Sequence, residues 1–480
     1  MKTSNFVHLH NHSHFSLLDG LASPVALVDK AVELGMPAMA ITDHGTMYGV
    51  IDFYTACKER GIKSIIGFEA YVAPESRHIK ESKKGDKTAY HLTLLAKNQV
   101  GYQNLMQLCT KGFTEGFYYK PRIDEELLCQ HHEGIICLSG CLQGRLPQLI
   151  LNKKSNDAEE HIKKMRCVFG DDFYLELQYY GIQDQIPVVE WIANQKLQTV
   201  CTNDIHYIDK IDAQAHDALL CIGTGTNIYE EKRLRFPNNE FYMKSRQEMK
   251  KWFSDDDINT SLEIADKCNV EIELGKRVNI YKPEEAFNKL KELCHARSIG
   301  KSKRWADRIE YELDAIQRTG YAEYLLVVAD FINFARNTGI PIGAGRGSST
   351  GSLVCYATGI TEINPLTHGL LFERFINVER VEPPDIDVDV CQSRRGEIID
   401  YLKNEYGADR VAQITTYGTL RAKALIKDLC RVLQLKFGIA DKICKLIPEP
   451  FDGDIDDIFT DEVEELLRND MPDDNDKTLT

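Results

Sequence analysis

No stretch of eighteen uninterrupted apolar residues occurs in the 480-residue sequence, which excludes a helical membrane span. Met1 to Leu9 lack a basic-then-apolar pattern, so no secretory leader is expected. The fourteen cysteines include no CxxC pair, and a chain this long needs no disulfide staples. They read as reduced thiols in a cytoplasm. There is no internal repeat. What remains is an ordinary globular mixture, 43% hydrophobic and 27% charged, long enough for roughly three domains.

Basic charge is also short. The net charge is -15, which argues against a nucleic-acid binder until its distribution is considered. From Phe451 to Thr480 there are 12 acidic and 2 basic residues, so the preceding 450 residues carry only -5 of the total. This acidic end is expected to be solvated, with little order over Asn469 to Thr480. A basic groove elsewhere stays open, and global acidity does not exclude DNA.

The first third alternates strands with amphipathic helices. Strands are expected at Phe6–His12, Ala38–Thr42, Ser64–Val72, Leu92–Ala96, Gly134–Leu138, Phe173–Leu177 and Thr199–Thr202. Ser23 and Pro24 open a helix that stops at Gly35, and a second helix, Tyr48–Lys58, stops at Gly61. Repeated strand–helix–strand units predict a mostly parallel sheet or small α/β barrel, with its chemistry at the carboxyl ends of the strands. From about Ser245 the pattern turns helical, through Ile264–Cys268 and Lys301–Arg318, which Gly320 stops. A second α/β unit begins near Tyr324.

The strongest local signal is His8-Leu-His10-Asn-His12-Ser-His14. Alternate residues of a strand share a face, so His10 and His12 can address one ion. His8 suits a core strand and His14 a surface turn. Later strands carry further ligand-competent groups at or near their ends: His44 in Thr42-Asp43-His44-Gly45, Glu69, His91, Cys141, and the Asp204-Ile-His206 triplet. Singly, His91 could be a hydrogen-bonded core histidine, Cys141 a buried small residue and Glu69 a surface acid. Jointly they point to a metal site at a barrel mouth.

Two segments farther on invite a phosphate. Gly343-Ala-Gly-Arg-Gly-Ser-Ser349 lies between an apolar strand and a helix; glycines admit phosphate, serines donate hydroxyls and Arg346 can pair with it. It is neither a Walker A loop nor a dinucleotide turn. Pro384-Asp-Ile-Asp-Val-Asp389 follows, and period-two spacing on a strand puts Asp385, Asp387 and Asp389 on one face. Stacked carboxylates repel unless a cation neutralises them, and hard oxygen donors suit Mg²⁺ carrying nucleotide phosphates.

These motifs resemble the PHP (polymerase and histidinol phosphatase) domain. With Phe15–Gly20, Gly101–Cys109 and Phe236–Tyr242 they resemble the bacterial DNA polymerase III alpha subunit, a C-family replicative polymerase. The resemblance implies a PHP-type distorted (β/α)7 barrel over 1–270, the first part of a polymerase-beta-like nucleotidyltransferase palm over 271–416, and a partial helical thumb over 417–480. Carried over by motif, the nine ligand positions of the PHP family fall on His10, His12, Asp19, His44, Glu69, His91, Cys141, Asp204 and His206, all ligand-competent. That set implies up to three zinc or manganese ions polarising a phosphoryl oxygen and activating water, hence a 3′→5′ proofreading exonuclease. A cluster that only stabilises the fold, or a stand-alone PHP phosphatase acting on a small phosphate ester, are the competing expectations.

Leu371–Arg380, with Val378 where proline is usual, and Val411–Gly418 also match family segments. By this resemblance Asp385 and Asp387 hold the palm Mg²⁺, while Asp389 matches an acid without a role that spacing can supply. Gly345, Arg346, Gly347, Ser348 and Ser349 would hold the incoming triphosphate. The implied partners are a DNA primer-template, dNTPs, a sliding clamp, a clamp loader and an epsilon-type exonuclease. The chain is expected to stop inside the thumb, with the third palm aspartate and the fingers beyond Thr480, so that alone it would not extend primers usefully.

Overall fold

The structure is a computed structural model that describes residues 6–83, 85–275, 280–379, 383–436, 438–448 and Val463. The chain divides into two compact units, Met1–Ile272 with Thr419–Thr480, and Glu273–Gly418. The helices Ala422–Val432 and Ile439–Leu446, placed in the thumb by the sequence, therefore belong with the first unit. Apart from Val463, the acidic end from residue 449 lies outside the described residues. Among the described residues no helix is long and apolar enough to cross a membrane.

The first unit is built on seven strands: β1 (Ala38–Ile41), β2 (Lys63–Val72), β3 (Tyr90–Ala96), β4 (Arg122–Ile123), β5 (Ile135–Leu138), β6 (Phe173–Leu177) and β7 (Thr199–Cys201). Their order is β1-β2-β3-β5-β6-β7, with the short β4 beside β2. Six of the seven were expected as strands within one or two residues; β4 was not, being two residues long. β3 departs from the parallel expectation, running antiparallel to both β2 and β5. A parallel neighbour needs a crossover, and no helix lies in the described part of the 73–89 connection, so the chain returns directly.

The amino-terminal segment closes the sheet. Ala40 N–H donates to the His8 carbonyl and Thr42 N–H to Asn11 on the β1 side. On the other side His12 N–H donates to Ile205, and Ile205 N–H to His10, beyond β7. It is not the regular strand expected over Phe6–His12, however, and forms only a bridge between Asn11 and Ile205. Val7 and Leu9 join an apolar cluster with Ala38, Ala40, Ile65, Leu95, Ile136, Tyr174 and Val200. The backbone bends at His10, so His10 and His12 turn toward the same interior as Leu9. That slip of parity is what a uniform strand could not provide.

Helices cover the outside. In α1 (Pro24–Glu33) the Ala26 N–H donates to the Ser23 hydroxyl at 3.1 Å, and Leu27, Val28 and Ala31 are buried. α2 (Val50–Arg60) ends at Gly61 with φ 71°, a left-handed cap that glycine accommodates without strain. The Ser155–Phe169 helix buries His161 beside Arg145 and Lys164. Burial, reinforced by those cations, lowers the His161 pKa to about 4. The folded imidazole is then neutral where the unfolded one is protonated, so stability falls as pH drops from 6.5 toward 4. At pH 5 the penalty is about 2 kcal/mol. Urea midpoints at pH 7 and pH 5 should show that loss in the parent, and His161→Gln should lose correspondingly less.

The second unit is helical among its described residues. Pro283–Ser298, Lys303–Thr319, Ala322–Asn337 and Leu353–Ala357 pack around Leu290, Ile309, Leu313, Leu325, Ile332 and Leu353. Gly320 caps the second of these at φ 72°, as its position in the sequence indicated.

Candidate metal centre and phosphate loop

The inward columns of the barrel change character along their length. On β2, Ile65 belongs to the apolar floor and Glu69 stands four residues nearer the carboxyl end on the same face. On β3, Leu95 is followed inward by Thr93 and His91; beyond β7, Val200 is followed by Thr202 and Asp204. Each strand thus delivers an apolar side chain to the floor and a polar one to the mouth.

All nine sequence-expected ligands converge there. Glu69 sits at the centre: its carboxylate lies 3.2 Å from His10 Nε2, 2.5 Å from His44 Nδ1, 3.0 Å from His91 Nδ1 and 3.5 Å from Cys141 Sγ. Asp204 Oδ1 lies 3.1 Å from His12 Nε2, 3.5 Å from His10 Nε2 and 3.7 Å from His206 Nδ1. Asp19 lies 3.2 Å from His44 and 3.9 Å from His206. The His12 ring is 4.0 Å from that of His44 and 4.3 Å from that of His206. Three groups of donors, His12–His44–His206, His10–His12–Asp204 and His44–Glu69–His91, are each compact enough to share one ion.

The electrostatics fit a cation site. Burial opposes the charged form of His10, yet the buried Glu176, Asp204 and Glu69 raise its imidazole well above the usual pKa. Against the same burial, His91, His44 and His10 hold the Glu69 carboxyl well below the usual range. His12 moves the other way, lowered by burial and by the neighbouring His44 and His206. The Cys141 thiol is raised by burial and by the nearby carboxylates. His10 Nε2, Asp19 Oδ1, His44 Nδ1 and Glu69 Oε2 are all buried close to other charged or imidazole atoms of the site, yet none makes an aligned hydrogen bond. Buried polar atoms are rarely left so, and a set of imidazole, carboxylate and thiol donors facing one space suits divalent ions.

Residues the sequence reading passed over hold this arrangement. Glu176, fully buried on β6, takes His10 Nδ1 at 2.6 Å, which leaves Nε2 facing the cluster. Its carboxylate also accepts from the Gly140 N–H, Gln178 and the Thr93 and Thr202 hydroxyls. A carboxylate behind a ligating imidazole is the usual outer partner of a metal site. His216, on the Ala213–Thr224 helix, is 3.8 Å from Asp19. Asp43 does not face the cluster; it accepts from the Ser13 and Ser16 hydroxyls and the Ser13 N–H, pinning the turn after His12. His8 bonds the Lys244 carbonyl in the core, and His14 is exposed.

In the second unit the glycine loop and the aspartate run meet. Asp385, Asp387 and Asp389 are exposed and alternate with the partly buried Ile386 and Val388, as period-two spacing predicts. The run is extended without being a strand: its described neighbour pairs only through the Ile342–Val390 bridge, beside which Gly343 N–H donates to the Asp389 carbonyl. Arg346 lies 3.3 Å from Asp387 and 3.7 Å from Asp389. A Cβ at Gly347 would come 3.3 Å from the Asp387 carboxylate, and at Gly345, where φ is 104°, 2.8 Å from Thr361. Ser348 and Ser349 follow in a 3-10 turn, Gly347–Gly351, rather than at the head of an α-helix; Ser349 is buried and its hydroxyl donates to the Arg346 carbonyl.

Fold and site together define a PHP-type barrel with a cluster of metal-competent side chains, joined to a second, helical unit, and known families match in the same places. The PHP domain model matches residues 8–179, and that of the bacterial DNA polymerase III alpha NTPase domain matches 284–477. The chain belongs to the DNA polymerase III alpha subunit family. It is 45% identical over 465 residues to DNA polymerase III subunit alpha of Treponema pallidum, covering 94% of this chain and 40% of the relative. The Borreliella burgdorferi subunit is also 45% identical, over 93% of this chain and 40% of its own length; that of Thermus aquaticus is 39% identical, over 93% and 43%. The chain thus spans about two-fifths of the length of these relatives. Among solved structures, an amidohydrolase from Chromobacterium violaceum aligns over 42% of this chain and 87% of its own at 15% identity; its TM-score of 0.26 is too low to inform the reading.

Proposed function

We propose that this chain supplies the PHP and first palm segments of a replicative, cytoplasmic DNA polymerase, and that its PHP cluster hydrolyses phosphodiesters at 3′ ends. The observation that carries the hydrolytic reading is the convergence of nine donors around Glu69, with four buried donor atoms that make no aligned hydrogen bond. His10, His12, Asp19, His44, Glu69, His91, Cys141, Asp204 and His206 would hold up to three zinc or manganese ions. Such ions supply Lewis acidity toward phosphoryl oxygens. The chain's own part is positional. Glu176 fixes the His10 ring, Asp204 ties His12 to His206, and Asp19, 30% exposed, faces solvent, where an incoming ester would meet the cluster.

In the palm, Asp385 and Asp387 would hold Mg²⁺. Arg346 would exchange its carboxylate partners for the triphosphate, supported by the backbone of Gly345 and Gly347 and by Ser348 and Ser349. Primer-template DNA and dNTPs are the proposed substrates, with the clamp, clamp loader and an epsilon-type exonuclease as partners. Primer extension would need the third aspartate of the family. A phosphatase for small esters has no use for this second unit, which favours the polymerase reading.

The test is metal analysis coupled to 3′-end hydrolysis of a single-stranded oligonucleotide in Zn²⁺ or Mn²⁺, for parent and Asp204→Ala. The parent should carry metal and trim the end, and the variant should lose both, with activity down at least about 100-fold. Metal-loaded but inert parent protein would make the cluster structural. Faster turnover of histidinol phosphate than of DNA would make it a small-ester phosphatase.

A further inference from the structure

The cluster opens to solvent on one side, where Asp19, His91 and His44 are its most exposed members. That side has a rim of a different chemistry. The Tyr71 ring stacks 6.0 Å from His44 and stands edge-on 5.1 Å from His91. Lys120 Nζ lies 5.3 Å from the Tyr71 centroid, and no carboxylate among the described residues pairs with it. Lys87 donates to the Gln143 side chain, whose backbone carbonyl takes the His91 N–H, so a second cation without an acid flanks the His91 side.

Outside Lys120 the chain makes a tight turn, the Tyr118 N–H donating to the Lys120 carbonyl. Tyr119 stands at its apex with φ 59° and is 75% exposed. A bulky residue held left-handed costs of order 1 kcal/mol or more and persists where the surroundings enforce it. The Arg122 guanidinium clamps Tyr118 from 4.9 Å, which leaves Tyr119 as the ring presented to solvent. Phe117, 53% exposed, stacks on Phe113 at 6.3 Å.

We propose that this rim binds an unpaired polynucleotide strand: Tyr119 and Phe117 stack its bases, Lys120 and Lys87 take its phosphates, and its end passes over Tyr71 to the His44–His91 side of the cluster. Exposed rings beside cations that lack acidic partners are the recurring form of single-strand sites, because every base offers a ring face and every linkage a charge. A duplex has its base faces covered and cannot use Tyr119 or Phe117. A small phosphate ester could occupy one lysine but not two cations and two separate rings. The proposal rests on the phosphodiester reading of the cluster and adds to it the selection of single strands.

The test separates the two readings because binding is measured in chelator, where no hydrolysis occurs. Anisotropy of a labelled oligo(dT) should show about tenfold or weaker binding for Tyr119→Gly. Glycine is at ease at φ 59°, so this variant should melt no lower than the parent. Lys120→Gln and Lys87→Gln should each reduce the slope of log K against log salt by about 0.7. A 3′-terminal iodouracil should crosslink within the 112–122 peptide, which distinguishes the rim from the second unit. Unchanged affinity with crosslinks elsewhere overturns the rim. So does equal weakening toward blunt duplex, or intact oligonucleotide binding alongside loss of a protein partner. If the variants lose binding while the metal-loaded parent fails to hydrolyse, the rim stands and the hydrolytic reading falls.

Discussion

Glu312→Ala is expected to lower the stability of the second unit by about 3–5 kcal/mol. Glu312 is fully buried on the Lys303–Thr319 helix, and four donors meet on its carboxylate. Leu353 and Val354 donate backbone N–H groups at 2.9 Å, the Ser352 hydroxyl donates at 2.8 Å, and Arg308 Nε donates at 2.6 Å. Burial pushes the carboxyl up while these donors draw it back down. Alanine leaves two buried N–H groups and Arg308 Nε without their acceptor, while Arg308 Nη2 keeps the Gly351 and Leu370 carbonyls, and each group left unpaired costs about 1–3 kcal/mol. Ser352 also follows the Gly347–Gly351 turn directly, so losing the anchor should loosen the glycine loop. Urea denaturation followed in the full chain checks it: a loss below about 1 kcal/mol would mean that water replaces the carboxylate. Glu312→Gln retains one acceptor oxygen and should fall between parent and alanine.

What the sequence disclosed about this molecule depended on whether the signal was local. The caps at Ser23, Gly61 and Gly320 were legible because capping needs only neighbouring residues. The alternation of Asp385, Ile386, Asp387 and Val388 was legible as well: period two sorts exposed from buried positions even where no ladder forms. The nine cluster positions were found by motif, since residues as distant as His10 and Asp204 share no local pattern. The direction of β3 was missed because strand patterning carries no polarity, and only the absence of a crossover helix bears on it. The bend at His10 was missed because a slip of one residue leaves the alternation of histidines intact in the sequence. Glu176 did leave a trace: one acid inside Phe173-Tyr-Leu-Glu-Leu177 is hard to place on an apolar strand unless something buried receives it. His216 left none, because a histidine on a helix is ordinary.

Glu69→Gln should separate the parts of the metal centre more sharply than the loss of any rim residue. Glu69 belongs to the His44–Glu69–His91 group, whereas His12–His44–His206 and His10–His12–Asp204 do not include it. Glutamine has nearly the same shape but no charge, so the barrel should stay folded while the anionic centre of four contacts disappears. The expected result is a fall in bound metal of about one ion per chain rather than to zero, with 3′-end hydrolysis down more than about 100-fold. That exceeds the 10–100-fold typical of an outer partner such as Glu176, because Glu69 itself would face the ions. Neutralising Glu69 also removes a carboxylate that raises the His44 imidazole against its burial, so His44 takes its proton at lower pH than in the parent and the variant's metal binding should fall off less steeply as pH drops. Elemental analysis after gel filtration and a hydrolysis assay on the same preparation give both numbers. Complete loss of metal would show that the three donor groups act as one unit, and full retention with intact hydrolysis would remove Glu69 from the centre altogether.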